Sequence, residues 1–308
     1  MSSLSVVRPT RGRRPLGYVV SAVLAALLAF AAAGGIFVFA VRTSAGQVID
    51  QRLLEYGREL PAATAVPHWL SMYVVSNPLT WIIGATIVVA LVCLGAMLPS
   101  ERGHRSVGSR IATTATLLLF PPVTIVVIRA LRDGTYRPHF HDWIEETNNS
   151  APSGHAAAIA ALVVAVTLAA PPLLRPWVAA LGGAWAAIID FGLVAAGWHR
   201  PSDVAISTLL IVGAAVLLPD PHRGSTTAIP RVVGLAVCGL TIVAASITIA
   251  VYYPRLEQVV IAALVAGVVG VCLGILVAFK SGDRAAVATS HVDDPWDHPR
   301  RRDHHLVG

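Results

Sequence analysis

Apolar residues in this chain run in long uninterrupted blocks and do not alternate with polar ones. The blocks lie at about 16–41, 79–98, 111–131, 154–170, 177–198, 202–218, 232–252 and 258–279. At about 1.5 Å of rise per residue, each is long enough to cross the hydrocarbon of a bilayer as a helix. Gly- and Pro-containing breaks separate them. A transmembrane barrel would show short segments of alternating polarity, so the pattern predicts an all-α polytopic membrane helical bundle with eight crossings. The stretch Gln47 to Leu60 is different. Its helix-forming residues, with Leu53, Leu54 and Leu60 roughly on one side, predict either a helix lying on the membrane surface or a covering loop.

Composition agrees with a bilayer-embedded chain: 55% of residues are hydrophobic and 13% charged, against about a quarter charged in soluble globular domains. The first block is longer than a signal-peptide core and is expected to remain as an uncleaved helix. The net charge of +6 is carried almost wholly by arginine, and its distribution predicts orientation. Arg8, Arg11, Arg13 and Arg14 mark residues 1–15 as a cytoplasmic basic N-terminus. Alternate connections then carry Arg102, Arg105 and Arg110, Arg175, Arg223 and Arg231, and finally Lys280, Arg284 and Arg300 to Arg302, all expected on the cytoplasmic side. The Ala-, Val-, Gly- and Arg-rich composition suits a bacterial plasma membrane. Cys93, Cys238 and Cys272 fall inside apolar blocks and read as packing residues. No basic stripe interleaved with aromatics supports a nucleic-acid role.

The tail 281–308 is polar and is expected to be disordered and cytoplasmic. Its Asp293, Asp294, His298, His304 and His305 match no structural metal spacing. Asn148-Asn149-Ser150 is formally a glycosylation triplet, of a kind that arises often by chance.

Three polar clusters interrupt the apolar pattern, and the charge alternation puts all three on the outer face. Pro152-Ser153-Gly154-His155 opens the fourth block. A helix starting there offers unsatisfied N–H groups, the positive end of the helix dipole, a hydroxyl and an imidazole, which together suit an anionic phosphate. His199 and Asp203 flank Pro201, a residue tolerated in the first helical turn. A carboxylate one turn inside can fix the imidazole tautomer and leave the other ring nitrogen to attack an electrophile. The alternative is an interfacial His beside a helix-start Asp. Arg137-Pro138 supplies a planar fork for phosphate oxygens, and Arg129, Arg132 and Arg200 lie close in sequence to the same mouth.

In this order, Arg137-Pro138, Pro152-Ser153-Gly154-His155 and His199-x3-Asp203 resemble the three signatures of the type-2 phosphatidic acid phosphatase family, which shares its site with the vanadium haloperoxidases. The resemblance covers roughly residues 79 to 218. It implies a six-helix phosphatase core within 16–220, with the two helices of 221–280 additional to it. It implies that His199 is the nucleophile that forms a phosphohistidine, Asp203 its orienting partner and His155 the general acid. Arg137, Ser153 and the Gly154 amide would hold the phosphoryl oxygens, and the family's mechanism uses no metal or cofactor. The implied reaction is hydrolysis of a phosphomonoester or pyrophosphate on a lipid, such as a polyprenyl diphosphate or phosphatidic acid.

The sequence departs from the family pattern at two places. Ala130 stands in the Lys slot of the first signature, and Gly192-Leu193 stand in the Ser-Arg slots of the third. Either nearby Arg129 or Arg132 takes over the lost phosphate contact, although Arg129 is rotated about 100° from the Lys slot on a helix, or activity is low. The alternative class is therefore a catalytically impaired lipid-phosphate-binding, transport-associated or scaffold protein. Asp190 lies deep in an apolar block; pairing with Arg129 or Arg132 and simple helix packing are both open.

Overall fold

The computed structural model describes residues 16–58, 77–97, 107–144, 148–222, 230–253 and 255–282. The basic N-terminus, Leu60, Arg102, Arg105, Arg223, Arg284 and the polar tail with its His and Asp residues lie outside the described residues. Among the described residues there are nine helices and no strand: α1 Leu16–Arg42, α2 Ser44–Gly57, α3 Pro78–Met97, α4 Val107–Asp133, α5 Gly154–Ala169, α6 Arg175–Ala195, α7 Pro201–Leu217, α8 Pro230–Tyr252 and α9 Leu256–Gly282.

Six of these, α1, α3, α4, α6, α8 and α9, are long and apolar enough to cross a bilayer. The chain is an integral membrane protein, a polytopic helical bundle. The expected eight crossings divide into these six and two shorter apolar helices, α5 of 16 residues and α7 of 17. The physical reason lies in their surroundings. Thirteen of the sixteen α5 residues are buried, and α5 packs on α3, α4, α6 and α7, while α7 packs on α1, α5 and α9. A helix enclosed by protein has no hydrocarbon thickness to match. Alanines 156, 157, 158, 160 and 161 of α5 let its neighbours approach closely.

Pro121 and Pro122 sit inside α4. They remove two backbone donors, and beside them opens an apolar cavity of about 380 Å³ between α3, α4 and α5, lined by Trp81, Ala85, Leu117, Ile125 and Leu162 among others.

The last two helices belong to the same packed body. α8 and α9 meet backbone to backbone, since a Cβ on Gly234 or Gly274 would fall 2.6 Å from the carbonyl oxygen of the other. Their Val237, Ala245, Ala266 and Leu273 join one apolar cluster with α5 and α6. Two cations read as surface charges are instead buried at the end of the bundle where α5 and α7 finish. Arg175 makes a two-pronged pair with Asp220 at 2.9 and 3.1 Å and donates to the Leu168 carbonyl. Lys280 donates to the carbonyls of Val216 and Leu218 at 2.8 and 2.7 Å. Cations at helix C-termini satisfy orphan carbonyls and oppose the dipole, so these bonds tie α9 and α6 to the end of α7.

Candidate active site

At the opposite end of the bundle, the start of α5, the end of α6 and the start of α7 are brought into contact. Ser153 caps α5: its hydroxyl oxygen accepts from the Ala156 amide at 3.1 Å. α6 ends in a Schellman turn. Gly197 takes φ +73°, the left-handed conformation that favours glycine, and the Gly197 and Trp198 amides return to the carbonyls of Val194 and Leu193. The His199 amide also donates to Leu193, at 3.3 Å. This turn aims His199 at the mouth of α5.

His199 Nε2 lies 3.4 Å from His155 Nδ1, one ring donating and the other accepting. The other nitrogen, Nδ1, is 3.6 Å from Asp203 Oδ2, an ion-pair distance and longer than a hydrogen bond. Asp203 is fully buried; its Oδ2 accepts from the Ser150 hydroxyl at 2.6 Å and from the Arg200 amide at 3.0 Å. Ser207 donates to the carbonyls of both Ser153 and Asp203, at 2.9 and 2.8 Å, and so staples α5 to α7. The Trp198 ring is exposed and lies 5.7 Å from the His155 ring, centre to centre.

The arginines divide. Arg137 is buried beside Pro138, whose carbonyl accepts from the Gln47 amide at 2.6 Å. Arg129 lies over Gly154, its Cγ and Nε 3.8 Å from where a Cβ on that glycine would be. Although Arg129 is rotated from the Lys slot on α4, its long side chain reaches across to α5. Arg132 pairs with Asp133 at 2.9 Å on the surface. Arg200 is buried, donating to Gln51 at 3.1 and 3.3 Å and to Ser150 at 3.5 Å. Asp190 is fully buried, and neither carboxylate oxygen has a hydrogen-bond partner. The proposed pairing of Asp190 with Arg129 or Arg132 is therefore absent. The two arginines sit at the end of α4, whereas Asp190 lies more than a turn inside α6.

The element that sequence reasoning missed is the buried face of α2. Gln47, Asp50, Gln51 and Leu54 are buried, at the i, i+3, i+4, i+7 spacing of one helix face. A search for apolar stripes passes over this one because three of its four residues are polar. Leu53 lies off that face and is only partly buried. α2 covers the site, with Asp50 accepting from the Ser202 hydroxyl at 2.6 Å and the Ser202 amide at 3.2 Å. Burial first, and then the charge of Asp203, lift the Asp50 carboxyl from its ordinary 3.8 to about 6, against the pull of Ser202 and Arg200. The folded protein thus holds this proton more tightly than the unfolded chain. The resulting stability is complete below pH 3.8 and is lost as pH rises through about 6.

Residues 122–222 match the family model described as the PAP2 superfamily. This stretch is similar to the PAP2 superfamily. Neither a curated protein nor a solved structure matches the chain. Members of the superfamily are phosphatases, and the matched segment runs from Pro122 within α4 to the turn after α7, enclosing every residue of the polar cluster except those of α2. Within the matched stretch, Ala130 is exposed. Leu193 is fully buried in an apolar cluster with Leu54 of α2, Tyr253, and Ile261 and Val265 of α9. The slot where the family pattern has a cation is thus closed by packing from α2 and the C-terminal helices. Among the described residues, no group of three His, Cys, Asp or Glu is arranged to hold a metal.

Proposed function

We propose that the protein hydrolyses a phosphomonoester or diphosphate on a lipid through a phosphohistidine at His199, on the outer side of the membrane. The observation that carries this reading is the line of three groups through one imidazole: His155 at 3.4 Å from Nε2 and Asp203 at 3.6 Å from Nδ1. In the first step Nε2 bonds to phosphorus, the bond from phosphorus to the leaving oxygen breaks, and His155 delivers its proton to that oxygen. In the second, His155 takes a proton from water, whose oxygen displaces His199 from phosphorus. A phosphoryl group does not fit between two nitrogens 3.4 Å apart, so the half-buried His155 ring turns aside as substrate enters. Asp203 favours the positive charge on the phosphorylated ring. Arg137, Arg129, the Ser153 hydroxyl and the Gly154 amide are the groups assigned to the phosphoryl oxygens. Arg132 and Arg200, engaged by Asp133 and Gln51, brace the surrounding segments in this reading.

Arg129 takes the part of the absent lysine. Arg129→Ala is expected to lower kcat/KM by about 10- to 100-fold, the loss of one charge-assisted phosphate contact. Ala130→Lys, placed on an exposed position, is expected not to restore it. Rescue by that lysine in the Arg129→Ala background would show that the slot, and not Arg129, faces the phosphate.

A lipid substrate is supported by the apolar cavity beside Pro121 and Pro122, whose lining residue Ile125 is one helical turn from Arg129. Filling it with Ala85→Trp is expected to raise KM about tenfold for a long-chain lipid phosphate and to leave a short, water-soluble phosphate ester unaffected, as the loss of apolar contact with a few methylenes requires. Equal effects on both substrates would separate the cavity from the site. The outer-face assignment is supported by the cation pattern, with Arg175 and Lys280 at the other end of the bundle.

The reading is tested by giving the purified chain a panel of polyprenyl diphosphate, phosphatidic acid and a soluble phosphate ester in chelator, and measuring phosphate release. No release from any of them would favour the binding-protein alternative, in line with the closed Leu193 slot.

A further inference from the structure

We propose that Asp50 is a positioning residue of the phosphatase site, holding the His199–Asp203 segment from α2 through Ser202. The proposal rests on the reading of His199 as the reacting group. The side-chain hydrogen bonds of Asp50 and Gln51 fall on the short segment that follows the imidazole. Asp50 accepts both polar hydrogens of Ser202, and Gln51 accepts from Arg200. Ser202 is at the second position of α7, where an amide has no partner within its own helix; Asp50 supplies that partner from a different element. Ser150 and the Arg200 amide fix Asp203 from the other side. His199 is thus carried on a segment clamped at Arg200, Ser202 and Asp203.

Hydrogen bonding alone does not explain why this position is a carboxylate. An asparagine would keep two bonds to Ser202, its single oxygen accepting from the Ser202 amide and its NH2 donating to the Ser202 hydroxyl oxygen, and the two neighbours on the same buried stripe, Gln47 and Gln51, are amides. The charged groups acting on Asp50 are Asp203, which repels it, and Arg200, which attracts it. A second carboxylate beside Asp203 at the start of α7 works against folding at neutral pH, as the upward displacement of its titration shows. A charge retained at the expense of stability points to use in the reaction. When Nε2 of His199 bonds to phosphorus, the ring becomes cationic with its Nδ1 proton in place. Two carboxylates behind it, one direct and one through Ser202, hold and stabilise that cation.

The full-length protein in nanodiscs, with histidine labelled at Cε1, distinguishes the outcomes. Asp50→Asn is expected to lower kcat about tenfold, the worth of one charge-assisted contact, with KM unchanged and with a melting temperature at pH 8 equal to or above that of the wild type. A purely structural Asp50 would instead lower the melting temperature and leave kcat per folded molecule unchanged, and that result would overturn the proposal. Should the wild type release no phosphate from any substrate, the reading of the reaction fails, and the His199 resonance, identified by its loss in His199→Gln, still decides the positioning role. A displaced His199 resonance in Asp50→Asn supports it and an identical one refutes it. If Asp50→Asn does not fold, Ser202→Ala removes the 2.6 Å bond alone. A lowered kcat or a displaced His199 resonance in that variant supports the positioning role, and wild-type values of both refute it.

Discussion

His199→Ala is expected to lower phosphate release by at least about a thousandfold, because the variant lacks the atom proposed to bond to phosphorus. The effect should appear in kcat, with lipid binding retained, since Arg129, Arg137 and the start of α5 are untouched. Folding is expected to survive. The backbone bond from residue 199 to Leu193 does not involve the side chain, and the ring contributes two long contacts, to His155 at 3.4 Å and to Asp203 at 3.6 Å. Rapid quenching with labelled substrate should trap acid-labile, base-stable phosphate on the wild type and none on His199→Ala. Turnover persisting in that variant would remove His199 from the reaction and leave His155, the other imidazole in the cluster, to account for it.

Asp203→Asn is expected to be nearly as damaging, with kcat reduced by about a hundred- to ten-thousandfold and KM little changed, by analogy with an uncharged residue behind a catalytic imidazole. The reason is local. The Asp203 Oδ2 already accepts from Ser150 and from the Arg200 amide. An asparagine satisfies those two donors only by turning its oxygen toward them. Its amide nitrogen then takes the other position, and no negative charge remains opposite Nδ1 of His199. The substitution also removes the repulsion that helps lift Asp50, so the Asp50 titration should move down from about 6 while burial keeps it above its ordinary value. Measuring kcat together with the pH dependence of melting between pH 4 and 7 tests both consequences. A variant with wild-type kcat would reduce Asp203 to a helix cap.

Much of this protein is legible before folding because the bilayer simplifies the rules. A long apolar block must satisfy its own backbone hydrogen bonds, so it becomes a helix whatever its neighbours are, and all eight blocks do. The polar interruptions stand out for the same reason. His155, His199 and Asp203 are found in contact because each begins or ends a block, and successive crossings return to the same end of the bundle. Two questions that one helix alone leaves open are decided by its neighbours. On an isolated α4, Arg129 points away from the neighbouring slot, yet its side chain spans the gap to Gly154 on α5. Asp190 invited a charged partner, yet its position in α6 meets none.

The amino-acid sequence by itself determined the membrane helices, the order of the three polar clusters and the residues that meet at His199, all of which follow from local polarity and helix geometry. Only the tertiary structure decided that α2 turns a polar stripe of Gln47, Asp50 and Gln51 onto the site, that Arg200 braces this cover, and that Leu193 is sealed beneath α2 and α9. Those outcomes depend on which faces of distant helices meet. A polar stripe is buried when another element offers it matching donors and acceptors, and no spacing along the chain records that offer.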